Sequence, residues 1–218
     1  TNVDAAESDH AGAYKLNAVA PRNLSIASHE IGAPLVHVST DYVFDGRSDR
    51  PYHEFDATNP LSIYGKSKLA GESAVAAHNP RHYIVRTSWV YHTQGENFPK
   101  AMLAQSNRAE VRVVCDQYGS PTYAPHLAAA IARLMETGAY GTYHIAGKGA
   151  ASRFEMTQRL YQLFGIGTVT LPAATAEFPR PAPRPRYAVL TTVQDPEILL
   201  PPWEVGLAEF ASASASFK

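Results

Sequence analysis

Cysteine is nearly missing from the sequence: Cys115 is the only one in 218 residues. A single thiol excludes an intramolecular disulfide and suits a reducing compartment, so a cytoplasmic location is expected. Because this thiol sits in an apolar run, it reads as a core residue. An excess of one charge is missing too. Lys and Arg total 19 against 20 Asp and Glu, so no net field favours nucleic acid or an anionic membrane, and an acidic ligand has to be met by local basic residues. No apolar run approaches membrane-spanning length, and the opening TNVDAAESDH has neither the basic start nor the apolar middle of a signal peptide. Metal-binding patterns are absent. His78 and His82 have helical spacing, but Pro80 between them breaks the helix, and the nine histidines form neither an H-E-x-x-H motif nor a Cys/His cluster. A glycine-rich phosphate turn is also missing. GKGAAS (147–152) comes nearest, but Ser152 stands where the third glycine belongs and no acidic residue ends the next short strand, TVTL. Ser152 reads better as a helix N-cap whose partner Glu155, three residues on, completes a capping box.

What is present is a chain with 45% hydrophobic residues, able to bury a sizeable core as one large domain or two small ones. PLVHVST (34–40), YIVRTSWV (83–90), EVRVVCD (110–116) and GTYHIAG (141–147) are β-rich and largely non-alternating, as expected of parallel strands covered on both faces. Helical patterns alternate with them: Ala13 to Glu30 closed by Gly32, Pro60 to Ala77 with Asn59 as N-cap, Asn97 to Asn107, and Ala124 to Thr137 closed by Gly138. This order predicts an α/β fold with a doubly wound parallel sheet. After Gly147 the character changes. A helix from Ser152 to Phe164 leads into PRPAPRPRYAVL (179–190) and PPWEVGL, too irregular for another βαβ unit but too apolar for a disordered tail. The expected division is 1–146 as the sheet domain, 147–210 as a small second lobe and 211–218, ASASASFK, as a frayed end.

NPLSIYGKSKLAGE (59–72) carries the first chemistry. Tyr64 and Lys68 stand four residues apart and share a helix face, so the ammonium can approach the phenol. A phenol near its ordinary pKa of about 10 is a poor proton shuttle at neutral pH, and a neighbouring cation lowers that value. In open parallel sheets ligands gather at the carboxyl ends of strands, and VHVSTDYVF (36–44) delivers Ser39, Thr40, Asp41 and Tyr42 at such an end. Thr40 could orient the phenol or a substrate carbonyl, giving hydroxyl, tyrosine and lysine the roles of a proton-delivery site for carbonyl reduction. The spacing by itself also fits a strand-end cap at Thr40 and surface residues at Tyr64 and Lys68.

STDYVFDG, PYHEFDATNPLSIYGKSKLAGE, RTSWVY followed by GENF, VVCDQYGSPT, GTYHIAG and TAEFPRPAPRP occur in that order. Together they resemble the dTDP-4-dehydrorhamnose reductases, members of the extended short-chain dehydrogenase/reductase superfamily, from Val3 to about Leu207. The resemblance implies a Rossmann-like dinucleotide-binding sheet with a small C-terminal substrate lobe. It implies reduction, by NADPH or NADH, of the C4 ketone of dTDP-4-dehydro-L-rhamnose to dTDP-L-rhamnose, a cell-surface polysaccharide precursor. Tyr64 is then the proton donor, Lys68 holds the nicotinamide ribose and tunes Tyr64, and Thr40 completes a catalytic triad. Val38 and Thr87 are implied beside Tyr64 and Lys68 on the cofactor side. Thr40, Asp41 and Trp89 match positions that contact the dTDP-sugar, with Tyr42 beside them. Hydride arriving at a ketone carbon builds alkoxide charge on its oxygen, and Thr40 and Tyr64 are the hydroxyls available to meet it. Three assignments stay open: Trp89 as a cover over an apolar sugar face or a core residue, Arg184 and Arg186 as diphosphate contacts or solvated charges, and the GSPT turn (119–122) after Gln117 as a crevice wall or a plain loop. Family members can carry magnesium at a homodimer interface, but no ligands for it map onto this sequence.

The superfamily opens with a strand, a glycine-rich phosphate turn and further strands that grip the adenosine end of the cofactor, whereas this sequence opens at TNVDAAES. The lack of a counterpart predicts an uncovered sheet edge and apolar face, and argues against full activity of these residues alone. Smaller departures are Ala188, where the family usually has serine, and WEVGL, where an arginine commonly follows the tryptophan; both bear on second-lobe contacts. Two other readings use the same fold: a non-catalytic relative, such as the regulatory subunit of methionine adenosyltransferase, and a sugar-nucleotide epimerase or dehydratase. The intact Thr40, Tyr64 and Lys68 argue against the first, and net consumption of NADPH separates out the second.

Overall fold

The computed structural model describes residues 2–194 and 198–215. A helical run comes first, made of α1 (His10–Tyr14), a π-helical turn (Lys15–Val19) and α2 (Ala20–Glu30). β1 (Leu35–Thr40), α3 (Ile63–His78) and β2 (His82–Thr87) follow, then β3 (Val90–Tyr91), α4 (Phe98–Leu103) and β4 (Glu110–Val114). The chain continues through β5 (Tyr118–Gly119), β6 (Thr122–Tyr123), α5 (Ala124–Thr137), β7 (Gly141–His144) and β8 (Ala151–Ser152). It ends with α6 (Arg153–Phe164), β9 (Val169–Ala173) and α7 (Trp203–Ala215).

β1, β2 and β7 form the expected parallel sheet, in that order. Its register pairs Leu35 with His82 and Thr40 with Thr87, so β1 and β2 finish side by side. β2 lies in the middle and is buried from Tyr83 to Thr87. Side chains alternate across it: Tyr83 and Val85 pack with Leu127, Ala130 and Leu134 of α5, whereas Arg86 meets Glu72 of α3. The three α5 residues recur at spacings of three and four, one apolar face of a helix that Gly138 ends at φ 67°. Helices therefore cover both faces, the arrangement of a doubly wound sheet. β1 occupies the edge; Val38 there is 44% exposed, as are Leu16, Leu24 and Ile31 on the neighbouring helical run at 69%, 61% and 80%.

A second core joins Val111 and Val113 of β4 to Met156 and Leu160 of α6 and Leu207 and Phe210 of α7. Its composition departs from the expected placement of EVRVVCD in the central sheet. β4 pairs in parallel with β9, from Glu110 opposite Val169 to Val114 opposite Ala173. The pattern of β4 gives the reason: Glu110 and Arg112 are exposed while Val111 and Val113 are buried, the alternation of a strand covered on one face. Segments on both sides of the 146/147 division thus build the second core.

Other expectations shift locally. Cys115, read as core, is half-buried. α3 starts at Ile63 rather than Pro60, because the Ser62 hydroxyl accepts the Gly65 N–H at 3.1 Å, while Asn59 donates its side-chain amide to Asp45. The helix expected over 97–107 stops at Leu103, and Asn97 caps it. The strand expected over 83–90 breaks after Thr87; Trp89, at φ 47°, has a left-handed backbone that no strand continues. α7 runs through Ala215 into the stretch expected to fray, and Ala211 is buried; 216–218 lie outside the described residues. The capping box on α6 forms as expected, with the Glu155 N–H donating to Ser152 Oγ at 3.1 Å and the Ser152 N–H to the Glu155 carboxylate at 2.7 Å.

Candidate active site

β1 ends at Thr40 and passes into a 3-10 turn, Asp41–Val43. Thr40 is buried and caps that turn: its Oγ1 accepts the Tyr42 N–H at 3.2 Å and donates to Asp41 at 3.0 Å. Asp41 is buried as well, and its other carboxylate oxygen accepts from Ser88 at 2.8 Å. Burial pushes the Asp41 carboxyl up to about 6, against the opposing pull of the Ser88 and Thr40 hydroxyls.

Tyr64 and Lys68 project from the first turns of α3 and are half-buried. Gly65 between them permits this placement, since a Cβ would collide with the Tyr42 carbonyl. Without it α3 presses onto the turn, and the rings of Tyr42 and Tyr64 meet edge to face with centroids 5.6 Å apart. Lys68 donates from Nζ to the Val38 carbonyl at 2.6 Å, tying α3 to β1 two residues before Thr40. Burial lowers the pKa of this ammonium, and Glu72, one turn further along, works against the shift.

Glu72 also anchors α3 to the sheet. It accepts from Ser39 of β1 and from Arg86 of β2, the latter at 2.7 Å from Nη2 and 3.1 Å from Nε. Both side chains of the ion pair are less than a tenth exposed. His37, on β1, has a buried Nε2 with no hydrogen-bond partner among the described residues, and burial pushes its pKa down to about 4.

On the expected cofactor side, Val38 stands at the exposed sheet edge, while Thr87 lies opposite Thr40 with its hydroxyl buried and, among the described residues, without a hydrogen-bond partner. The Lys68 ammonium beside this open strand edge supplies donors that suit the hydroxyls of a nicotinamide ribose.

A cleft of about 790 Å³ opens beside the Asp41–Val43 turn, with Tyr42, Phe98, Arg112, Gln117, Arg153 and Arg184 in its wall. Gln117 donates to Thr175 at 2.9 Å. Gly119, in the turn that follows, leaves room for Trp89: a Cβ there would come within 2.5 Å of the indole. Trp89 is half-buried, and the Arg153 guanidinium stacks 3.6 Å from its ring centroid and 4.6 Å from that of Phe98. Arg184 points to Asp4 in a forked pair at 2.6 and 3.0 Å, while Arg186 is exposed.

Sequence reasoning did not single out Ser88, Glu72, Arg86, Arg153 or Asp4. Two of them carried a signal: Glu72 lies four residues beyond Lys68 on the same helix face, and Arg153 directly follows the N-cap. Among the described residues no group of three or more His, Cys, Asp or Glu side chains is arranged to hold a metal ion. No helix among them is long and apolar enough to cross a membrane.

A parallel sheet covered by helices on both faces, with Lys68 of α3 bound to the Val38 carbonyl near the end of β1, has the architecture of the Rossmann-like reductases. The chain belongs to the RmlD substrate binding domain family, which it matches over residues 1–216. It is 42% identical over 227 residues to the dTDP-4-dehydrorhamnose reductase of Mycobacterium tuberculosis (strain ATCC 25618 / H37Rv), an alignment covering 99% of this chain and 75% of that protein. The crystal structure of a dTDP-4-dehydrorhamnose reductase from Clostridium acetobutylicum superposes with a TM-score of 0.93 at 41% identity, covering 98% of this chain and 77% of that one. The same enzyme from Bacillus anthracis, in complex with NADP, gives a TM-score of 0.93 at 40% identity, with the same coverage.

Proposed function

We propose that this protein reduces the C4 ketone of dTDP-4-dehydro-L-rhamnose to dTDP-L-rhamnose at the expense of NADPH or NADH. The observation that carries the reading is the junction of β1 and α3, where Lys68 reaches across to the Val38 carbonyl and Thr40 ends the strand two residues on. The relatives' activity and the NADP held by one of them support it.

When bound, the nicotinamide supplies the hydride to C4. Tyr64 gives its phenolic proton to the oxygen as the carbonyl becomes an alcohol, so one hydride and one proton convert C=O to CH–OH. Lys68 holds positive charge beside that phenol and meets the ribose hydroxyls, with Val38 and Thr87 shaping the same side. Thr40 and Asp41 form the floor near the reacting carbon, and Tyr42 and Trp89 bound the sugar. The nucleotide extends into the arginine-lined cleft. Magnesium has no role in this proposal. A nicotinamide-consuming enzyme with a lone, half-buried cysteine suits the cytoplasm.

Nicotinamide absorbance, followed with purified protein, NADPH and dTDP-4-dehydro-L-rhamnose, tests the reading against a control without sugar. Sugar-dependent loss of NADPH is the expected result. Sugar interconversion without net loss would favour an epimerase, and sugar-nucleotide binding with no turnover a non-catalytic relative.

A further inference from the structure

The cleft wall holds four arginines, Arg112, Arg153, Arg180 and Arg184, and they are not equivalent. Arg112 pairs with Glu177 at 2.5 Å, and Arg184 pairs with Asp4, which Arg180 also approaches at 3.9 Å. Among the described residues, Arg153 forms no ion pair with a carboxylate. Asp41, whose charge acts on it, already accepts from the hydroxyls of Ser88 and Thr40.

Arg153 is nevertheless held firmly. The Ser152–Glu155 capping box fixes the start of α6, so the first helical residue projects at a defined point. Trp89 and Phe98 contact the guanidinium through their rings, and an arginine engaged through its faces keeps its in-plane N–H fork free. Trp89 adopts φ 47° to reach this position, a backbone conformation that a bulky residue takes only when its surroundings enforce it. Arg153 is half-buried, and burial lowers its pKa to about 10 against the pull of Tyr42 and Asp41, so the group remains a cation at neutral pH.

We propose that Arg153 is the diphosphate receptor of the cleft, its guanidinium set between Trp89 and Phe98 so that its free N–H edge grips the two phosphates of a nucleoside diphosphate sugar. The inference rests on the nucleotide-sugar reading above and adds a specificity element to it. The stack on Trp89 links the two halves of the ligand: Arg153 meets the diphosphate through its N–H edge and the indole that bounds the sugar through its face.

Calorimetric titration with dTDP and with thymidine, without nicotinamide, separates this inference from the reading it rests on. Wild-type protein is expected to bind dTDP more tightly than thymidine. Arg153→Gln is expected to weaken dTDP roughly 10- to 100-fold and leave thymidine within about twofold. Arg153→Lys, which keeps the charge without the fork, is expected to fall between them. Wild-type-like dTDP affinity in Arg153→Gln would overturn the receptor role alone and leave the reductase reading standing. Equal losses for dTDP and thymidine would also overturn it, by showing that Arg153 acts through the shape of the cleft. Failure of the wild-type protein to bind dTDP would remove both.

Discussion

Tyr64 and Lys68 sit on one helix face, but the proposed reduction gives them different tasks, and substitutions can separate them. Tyr64→Phe removes the proton and keeps the ring against Tyr42. Turnover is expected to fall roughly 10²- to 10⁴-fold, with dTDP affinity little changed in the same titration; turnover at the wild-type rate would remove Tyr64 as the acid. Lys68→Ala is expected to weaken NADPH binding as well as turnover, as read by fluorescence titration of the cofactor. Unchanged cofactor affinity would restrict Lys68 to tuning the phenol. At this scale the shared helix face and the strand end were readable because both are local. A four-residue helical spacing and a strand end are fixed by backbone geometry, whatever the rest of the chain does. Thr40 shows the limit of such reading: the cap and the catalytic hydroxyl were alternatives in the sequence, and in the fold the same oxygen makes the cap at the end of β1.

Among the elements, α3 matters most, because its position decides where Tyr64 and Lys68 lie. The buried Glu72–Arg86 pair, with Ser39, ties it to β1 and β2. Breaking a buried pair leaves an uncompensated charge, so Glu72→Gln is expected to cost about 3–5 kcal/mol in urea denaturation. Replacing both partners with Met should recover much of that loss, since no charge then remains stranded. A double variant as unstable as the single one would place the cost in lost geometry instead. Helix patterns were legible to within a few residues, and the misses have identifiable causes. Asn59 looked like a cap but spends its side chain on Asp45, and the cap passes to Ser62. EVRVVCD read as a strand covered on both faces, but Glu110 and Arg112 are exposed and β9 is its neighbour, a one-sided setting that a short β-rich run does not announce.

For the molecule as a whole, stability against pH reflects two buried groups on opposite slopes. Asp41, raised to about 6 from 3.8, stays protonated in the fold over a range where the unfolded chain ionises it. Its contribution therefore falls as pH rises from about 4 to 6. His37, lowered to about 4 from 6.5, stays neutral in the fold where the unfolded chain protonates it, so its contribution rises with pH over much the same window. Each shift spans about two pKa units, or about 3 kcal/mol at 1.36 kcal/mol per unit, and the two oppose each other. Urea denaturation of Asp41→Asn at pH 4.5 and 6.5, values chosen as about the limits of that window, is expected to show stability rising more steeply with pH than in wild type. His37→Gln is expected to show the reverse, and parallel curves for all three proteins would refute the opposition. The sequence by itself determined the α/β class and most helices, because hydrophobic period and helical spacing act over a few neighbouring positions. Only the tertiary structure decided that Asp4 would meet Arg184, 180 positions away, and that Arg153 would lie against the rings of Trp89 and Phe98. Such contacts depend on how distant segments pack together, and local periodicity carries no record of that.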